Sequence, residues 1–63
     1  EIDYSDLSSL EIEILEIIQE GPIHGDIITA KTGIDISTIN GILTILELKG
    51  LIKELAGRTF TLS

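Results

Sequence analysis

Residues 34–52, Ile34-Asp35-Ile36-Ser37-Thr38-Ile39-Asn40-Gly41-Ile42-Leu43-Thr44-Ile45-Leu46-Glu47-Leu48-Lys49-Gly50-Leu51-Ile52, decide the fold. Asp35 stands where a helix N-cap belongs, its carboxylate able to accept from the first unpaired backbone donors. Behind it Ile39, Ile42, Leu43 and Leu46 recur at helical spacing, with Ile36 expected to join them, so one face of this helix should be buried. Gly50 supplies a left-handed stop, and Leu51-Ile52 open a strand directly after it. The helix carries no cation before Lys49.

Downstream, Leu51 to Leu55 alternates, Ala56-Gly57 signals a turn, and Arg58 to Leu62 alternates again with Phe60 and Leu62 as its apolar members. This predicts a β-hairpin. Upstream, Gly33 should end a second helix over about residues 26–32 that buries Ile27, Ile28 or Ala30, with the Asp26 carboxylate at its positive end. Ile23-His24 suits a very short strand before it, where His24 is better explained by capping or packing than by metal ligation. A first helix begins near Ser9, because Ser8 and Glu11 form a capping box and Leu7 can staple onto Ile12. Its stripe is Leu10, Ile14, Ile17 and Ile18 with Leu15 beside them, and Gly21-Pro22 ends it. Leu10 and Ile12 make it more apolar than one buried face requires, so one of the two should be exposed.

Helix, short strand, helix, helix, hairpin is the order of a winged helix-turn-helix, a mainly α fold with a small β-hairpin as its wing. The domain is expected over residues 7–63. Residues 1–6 are polar, lack an initiator Met and are read as a linker remnant, as if the domain were cut from a longer protein.

Sixty-three residues are too few for an enzyme with a buried cleft and near the size at which one core is only just sufficient. Hydrophobic residues make up 43% of the chain and only Tyr4 and Phe60 are aromatic, so stability must come from aliphatic packing. With no Cys and only one His, no disulfide, zinc site or nucleophile constellation is expected, nor any cofactor. No apolar run approaches the roughly 20 residues that span a bilayer, and no signal peptide is recognisable, so a cytoplasmic setting is expected.

Net charge is −7, unevenly placed. Residues 1–47 carry ten acids and Lys31, while residues 48–63 carry Lys49, Lys53 and Arg58 against Glu54 alone. Duplex binding draws most of its affinity from cations on phosphates, and an acidic body repels the same polyanion. Tight autonomous DNA binding is therefore disfavoured.

Four segments together resemble the C-terminal winged-helix domain of the DNA-processing protein A family (DprA, also called Smf). They are Leu7-Ser8, Gly21-Pro22-Ile23-His24 with Asp26, Thr32-Gly33-Ile34-Asp35-Ile36-Ser37, and Leu46-Glu47-Leu48-Lys49-Gly50-Leu51-Ile52. The last is the least specific, since many winged helices need a glycine between third helix and wing. The resemblance implies a parent whose Rossmann-like domain binds single-stranded DNA in natural transformation and helps load the RecA recombinase, leaving this domain an accessory role. Leu10, Ile12, Gly25 and Gly41 depart from the family pattern; Gly41 inside a helix costs about 1 kcal/mol relative to Ala.

Two functions compete. As a weak DNA-binding module, the domain would present Ser37, Thr38, Asn40, Gly41 and Thr44 from the third helix, with Lys49, Lys53 and Arg58 on phosphates; Arg58 is the favoured wing contact because its fork suits a phosphate. The same residues also suit helix initiation and an ordinary solvated surface. As a protein-interaction or self-association module, the domain would use Leu10 and Ile12 of the first helix, or an outer face of the third, toward a protein partner or a second copy. Charge favours the second function and fold ancestry the first. Glu11, Glu13, Glu16 and Glu20 read as a solvated face, since no pocket is implied that would tune a carboxylate for catalysis.

Overall fold

The computed structural model describes residues 7–63, and the linker reading of residues 1–6 lies outside that range. Three helices, α1 (Ser9–Ile18), α2 (Gly25–Thr32) and α3 (Ile36–Leu48), pack with strands β1 (Ile23–His24), β2 (Ile52–Leu55) and β3 (Thr59–Leu62). The strands form one antiparallel sheet in the order β1-β3-β2. This is a winged helix. Among the described residues no helix is long and apolar enough to cross a membrane.

Local signals set the helix ends. The Ser8 hydroxyl accepts from Glu11 N–H while Ser8 N–H donates to Glu11 Oε1 at 2.8 Å, the reciprocal capping box expected from Ser-x-x-Glu. Glu11 is buried, and its carboxylate lies 3.9 Å from Lys49 Nζ, so it also ties the start of α1 to the end of α3. α2 stops at Gly33. α3 ends in a Schellman arrangement: Leu51 N–H donates to Leu46 C=O and Gly50 N–H to Glu47 C=O, with Gly50 at φ 78°. Only glycine holds that left-handed angle without strain, and the turn aims the chain from α3 into β2.

Asp35 caps α3 with both oxygens. Oδ1 accepts from the Thr38 hydroxyl at 2.8 Å and Oδ2 from Thr38 N–H at 3.0 Å. The hydroxyl bond first, and the backbone bond second, hold this carboxyl below its ordinary value. A depressed folded pKa means stability that is present above the unfolded aspartate value of about 3.9 and is lost as pH falls through the folded value. Asparagine at this position keeps a capping oxygen but does not titrate. Thermal melts should therefore show the advantage of wild type over Asp35→Asn shrinking as pH is lowered from 5 to 3; a constant difference would detach the charge from the cap.

The core joins Ile14, Leu15 and Ile18 of α1, Ile28 of α2, Ile39, Ile42, Leu43 and Leu46 of α3, Ile52 and Phe60. Leu7, Ile17, Ile23, Ile34, Leu51 and Leu62 pack partly buried around it. Register puts Phe60 opposite Ile23 and Ile52 opposite Leu62, so alternation turns these apolar residues toward the helices and leaves Lys53, Thr61, Thr59 and His24 on the other face, while Glu54, opposite Phe60 on its other side, is exposed.

Two expectations, on Ile36 and Arg58, need correction, and two others are made definite. Ile36 is 42% exposed rather than core: it lies about 60° round the helix from Ile39, in the first turn, at the rim of the packed region. As expected of the pair Leu10 and Ile12, one is exposed: Leu10 is 40% exposed, because the inward place in the first turn of α1 is taken by Glu11 through its cap and its approach to Lys49. Of the three candidates in α2, Ile28 is the buried one, with Gly25 buried beside it, while Ile27 and Ala30 are exposed; eight residues make two turns and turn one large side chain inward. Arg58 belongs to the turn rather than to β3, with φ 60°.

Candidate nucleic-acid interface

Ser37, Thr38, Asn40, Gly41 and Thr44 are all exposed on α3, as expected for an outward face. Helical geometry places Ser37, Gly41, Thr44 and Leu48 directly opposite the buried stripe and sets Asn40 on one flank, Thr38 and Ile45 on the other. Most of the polar groups already have local work. Thr38 serves the cap through Asp35, and the Thr44 hydroxyl donates back to Asn40 C=O at 2.9 Å.

Asn40 is engaged from a distance. Arg58 Nη2 donates to its Oδ1 at 2.9 Å, a bond spanning 18 residues that ties the wing turn to α3. The arginine reaches it through a built path. Its backbone is left-handed, its C=O accepts from Gly25 N–H at 3.0 Å, and its guanidinium lies where a side chain on Gly25 would stand. A Cβ on Gly25 would meet Nη2 at 2.6 Å, closer than real contacts allow.

The three tail cations do not gather at one place. Lys49 approaches Glu11 on α1. Lys53 stands opposite Thr61 in the hairpin, on the sheet face turned away from the core. Arg58 is bonded to the exposed flank of α3 through Asn40. Among the described residues no carboxylate forms an ion pair with it.

His24 caps α2, its Nδ1 accepting from Asp26 N–H at 3.0 Å, with the Asp26 carboxylate 3.9 Å away. The capping reading thus holds, and among the described residues no three potential metal ligands cluster. Of the two residues considered for protein contact, Leu10 is exposed and Ile12 half-buried.

Sequence reasoning missed two features. Leu48 is 82% exposed and Ile45 is exposed too, both on α3; their positions off the Ile39, Ile42, Leu43, Leu46 stripe carried that signal. The Gly25 cradle was visible only as a departure from the expected residue type.

Neither the curated proteins nor the solved structures contain a significant match to the chain. The family model of the DprA winged helix domain matches residues 3–58, from ahead of α1 through the turn of the wing. With that match over most of its length, and three helices with a three-stranded sheet in the order such a domain requires, the chain belongs to the DprA winged helix domain family.

Proposed function

We propose that this is a non-catalytic accessory domain of a cytoplasmic DprA-like DNA-processing protein, adding a weak duplex contact through α3 and the wing to the action of a Rossmann-like parent domain in transformation and recombination. The observation that carries the reading is the placement of Arg58, a guanidinium with no ion pair among the described residues, fixed against the exposed side of α3. Beside it Ser37, Gly41 and Thr44 are small, and a Cβ on Gly41 would meet nothing within 4 Å, so a phosphate backbone can come close to the helix. The acidic body accounts for weakness: a net charge of −7 opposes a polyanion at long range, and one or two cations neutralise few phosphates.

Arg58→Ala tests this directly. It should leave the melting temperature nearly unchanged while lowering duplex affinity roughly three- to tenfold at low salt, and it should make the dependence of log K on log salt shallower by about 0.9, the loss of one phosphate contact. Fluorescence anisotropy with a labelled duplex measures both. Unchanged affinity and slope would take the wing out of the contact.

A second reading rests on Leu48, Ile45 and Leu10, large apolar side chains left exposed on an acidic body. It makes the domain a protein-interaction or self-association unit with little affinity for DNA. No duplex binding, together with a sedimentation coefficient that rises with concentration, would favour it.

A further inference from the structure

We propose that Gly25 and Asn40 are positioning residues for Arg58, and that the domain consequently engages duplex DNA without base-sequence preference. The inference rests on the duplex contact proposed above and assigns how that contact is built. Gly25 is the second-to-last link in the path and the most telling. Its φ is not among the positive ones, so its backbone does not demand glycine, and glycine is a poor helix former. Its space is the reason for it. A Cβ there would make only an ordinary contact with Phe60 Cε1, at 3.5 Å, but would stand 2.6 Å from Arg58 Nη2. What glycine at position 25 preserves is therefore the place in which the guanidinium lies.

Asn40 supplies the other end. Its Oδ1 gives one of two lone pairs to Arg58, which fixes the plane of the amide, so the paired acceptor and donor contact that reads adenine would compete with the hold on Arg58. The Thr44 and Thr38 hydroxyls have likewise donated their protons within their own helix and its cap. Asn40, Thr38 and Thr44 on the exposed side of α3 are thus each partly engaged within the protein, while Arg58 retains donors beyond the one given to Asn40. A guanidinium held at a fixed point by a left-handed turn, a glycine cradle and an amide oxygen suits a phosphate oxygen, which every sequence presents.

The experiment compares wild type with Gly25→Ala, Asn40→Ala, Arg58→Ala and the double variant Gly25→Ala/Arg58→Ala. Binding is read by anisotropy on an AT-rich and a GC-rich duplex of equal length, with circular dichroism melts to show folding and the Arg58 Nε–H NMR resonance recorded without DNA. Each single substitution should lower affinity by a similar factor, roughly three- to tenfold, on both duplexes. Gly25→Ala should cost nothing further once Arg58 is gone, and the Arg58 resonance should move in both Gly25→Ala and Asn40→Ala.

Wild-type affinity in Gly25→Ala and Asn40→Ala beside a weakened Arg58→Ala would overturn the positioning role and leave the wing contact standing. A loss in Asn40→Ala confined to the AT-rich duplex would overturn it too, by making Asn40 a base reader. Absence of binding by wild type, with the resonance still moving, would sink the proposed function and with it the duplex preference, while leaving the arrangement of Arg58 intact. Should Gly25→Ala fail to fold, Asn40→Ala decides the same question from the exposed end.

Discussion

Leu43→Ala is expected to leave much of the domain unfolded at room temperature. Leu43 is 2% exposed on α3 and belongs to the single cluster that joins all three helices to the sheet. Truncating a buried leucine costs about 2–5 kcal/mol, part from lost transfer energy and part from the cavity left behind. A domain of this length has roughly 3–9 kcal/mol in total on the per-residue scale of natural proteins. With no disulfide and no second core to absorb the loss, the urea midpoint should fall sharply or the folded baseline disappear. Ile45→Ala, on the same helix but facing solvent, is the control and should change stability by well under half as much. A melting curve unchanged by Leu43→Ala would remove α3 from the core.

Phe60→Ala should have an effect of similar size for a different reason. Phe60 is the buried aromatic at the middle of the sheet, opposite Ile23 on one side and Glu54 on the other, with its ring edge close to Gly25. Removing it should cost about 3–5 kcal/mol. It also withdraws the support beneath the start of α2, where Gly25 N–H donates to Arg58 C=O. Hydrogen exchange reads the two consequences separately: global protection should fall with the urea midpoint, and in any folded fraction the Gly25 amide should lose protection beyond that of α1 amides. Loss of protection confined to the wing, with α1 and α3 unaffected, would show that the hairpin is not part of the same cooperative unit.

What the chain disclosed before folding was the part written in local chemistry. Ser8 with Glu11, Asp35 ahead of an apolar helical stripe, and Gly50 between helix and strand each specify a hydrogen-bonding arrangement over three to six residues, and each formed as expected. Their order along the chain was enough to define a winged helix. Periodicity was less informative about where the core ends. It says which way a side chain points, not whether a neighbour stands there, and so Ile36 was placed inside although it lies at the rim, and which of Leu10 and Ile12 would be exposed stayed open. The candidate interface was legible only residue by residue. Arg58, Asn40 and Gly25 come from the wing, α3 and α2, and no local pattern could show that the first would lie across the third to reach the second. The left-handed backbone of Arg58 was hidden for a related reason, since Ala56-Gly57 signals a turn without saying that its bend extends to the next residue.

The weak duplex contact is the centre of the functional account, and one titration tests it most directly. A labelled sample of the domain is followed by residue-resolved NMR while short duplex or single-stranded DNA is added, at about 50 and then 200 mM salt, a range over which phosphate contacts lose much of their affinity. The account predicts shifts on duplex addition confined to Ser37 through Thr44, Gly25 and the wing around Arg58, shrinking at the higher salt and smaller with single strands. An unchanged spectrum at the lower salt, or shifts that gather on Leu10 and the outer face of α1 instead, would contradict it.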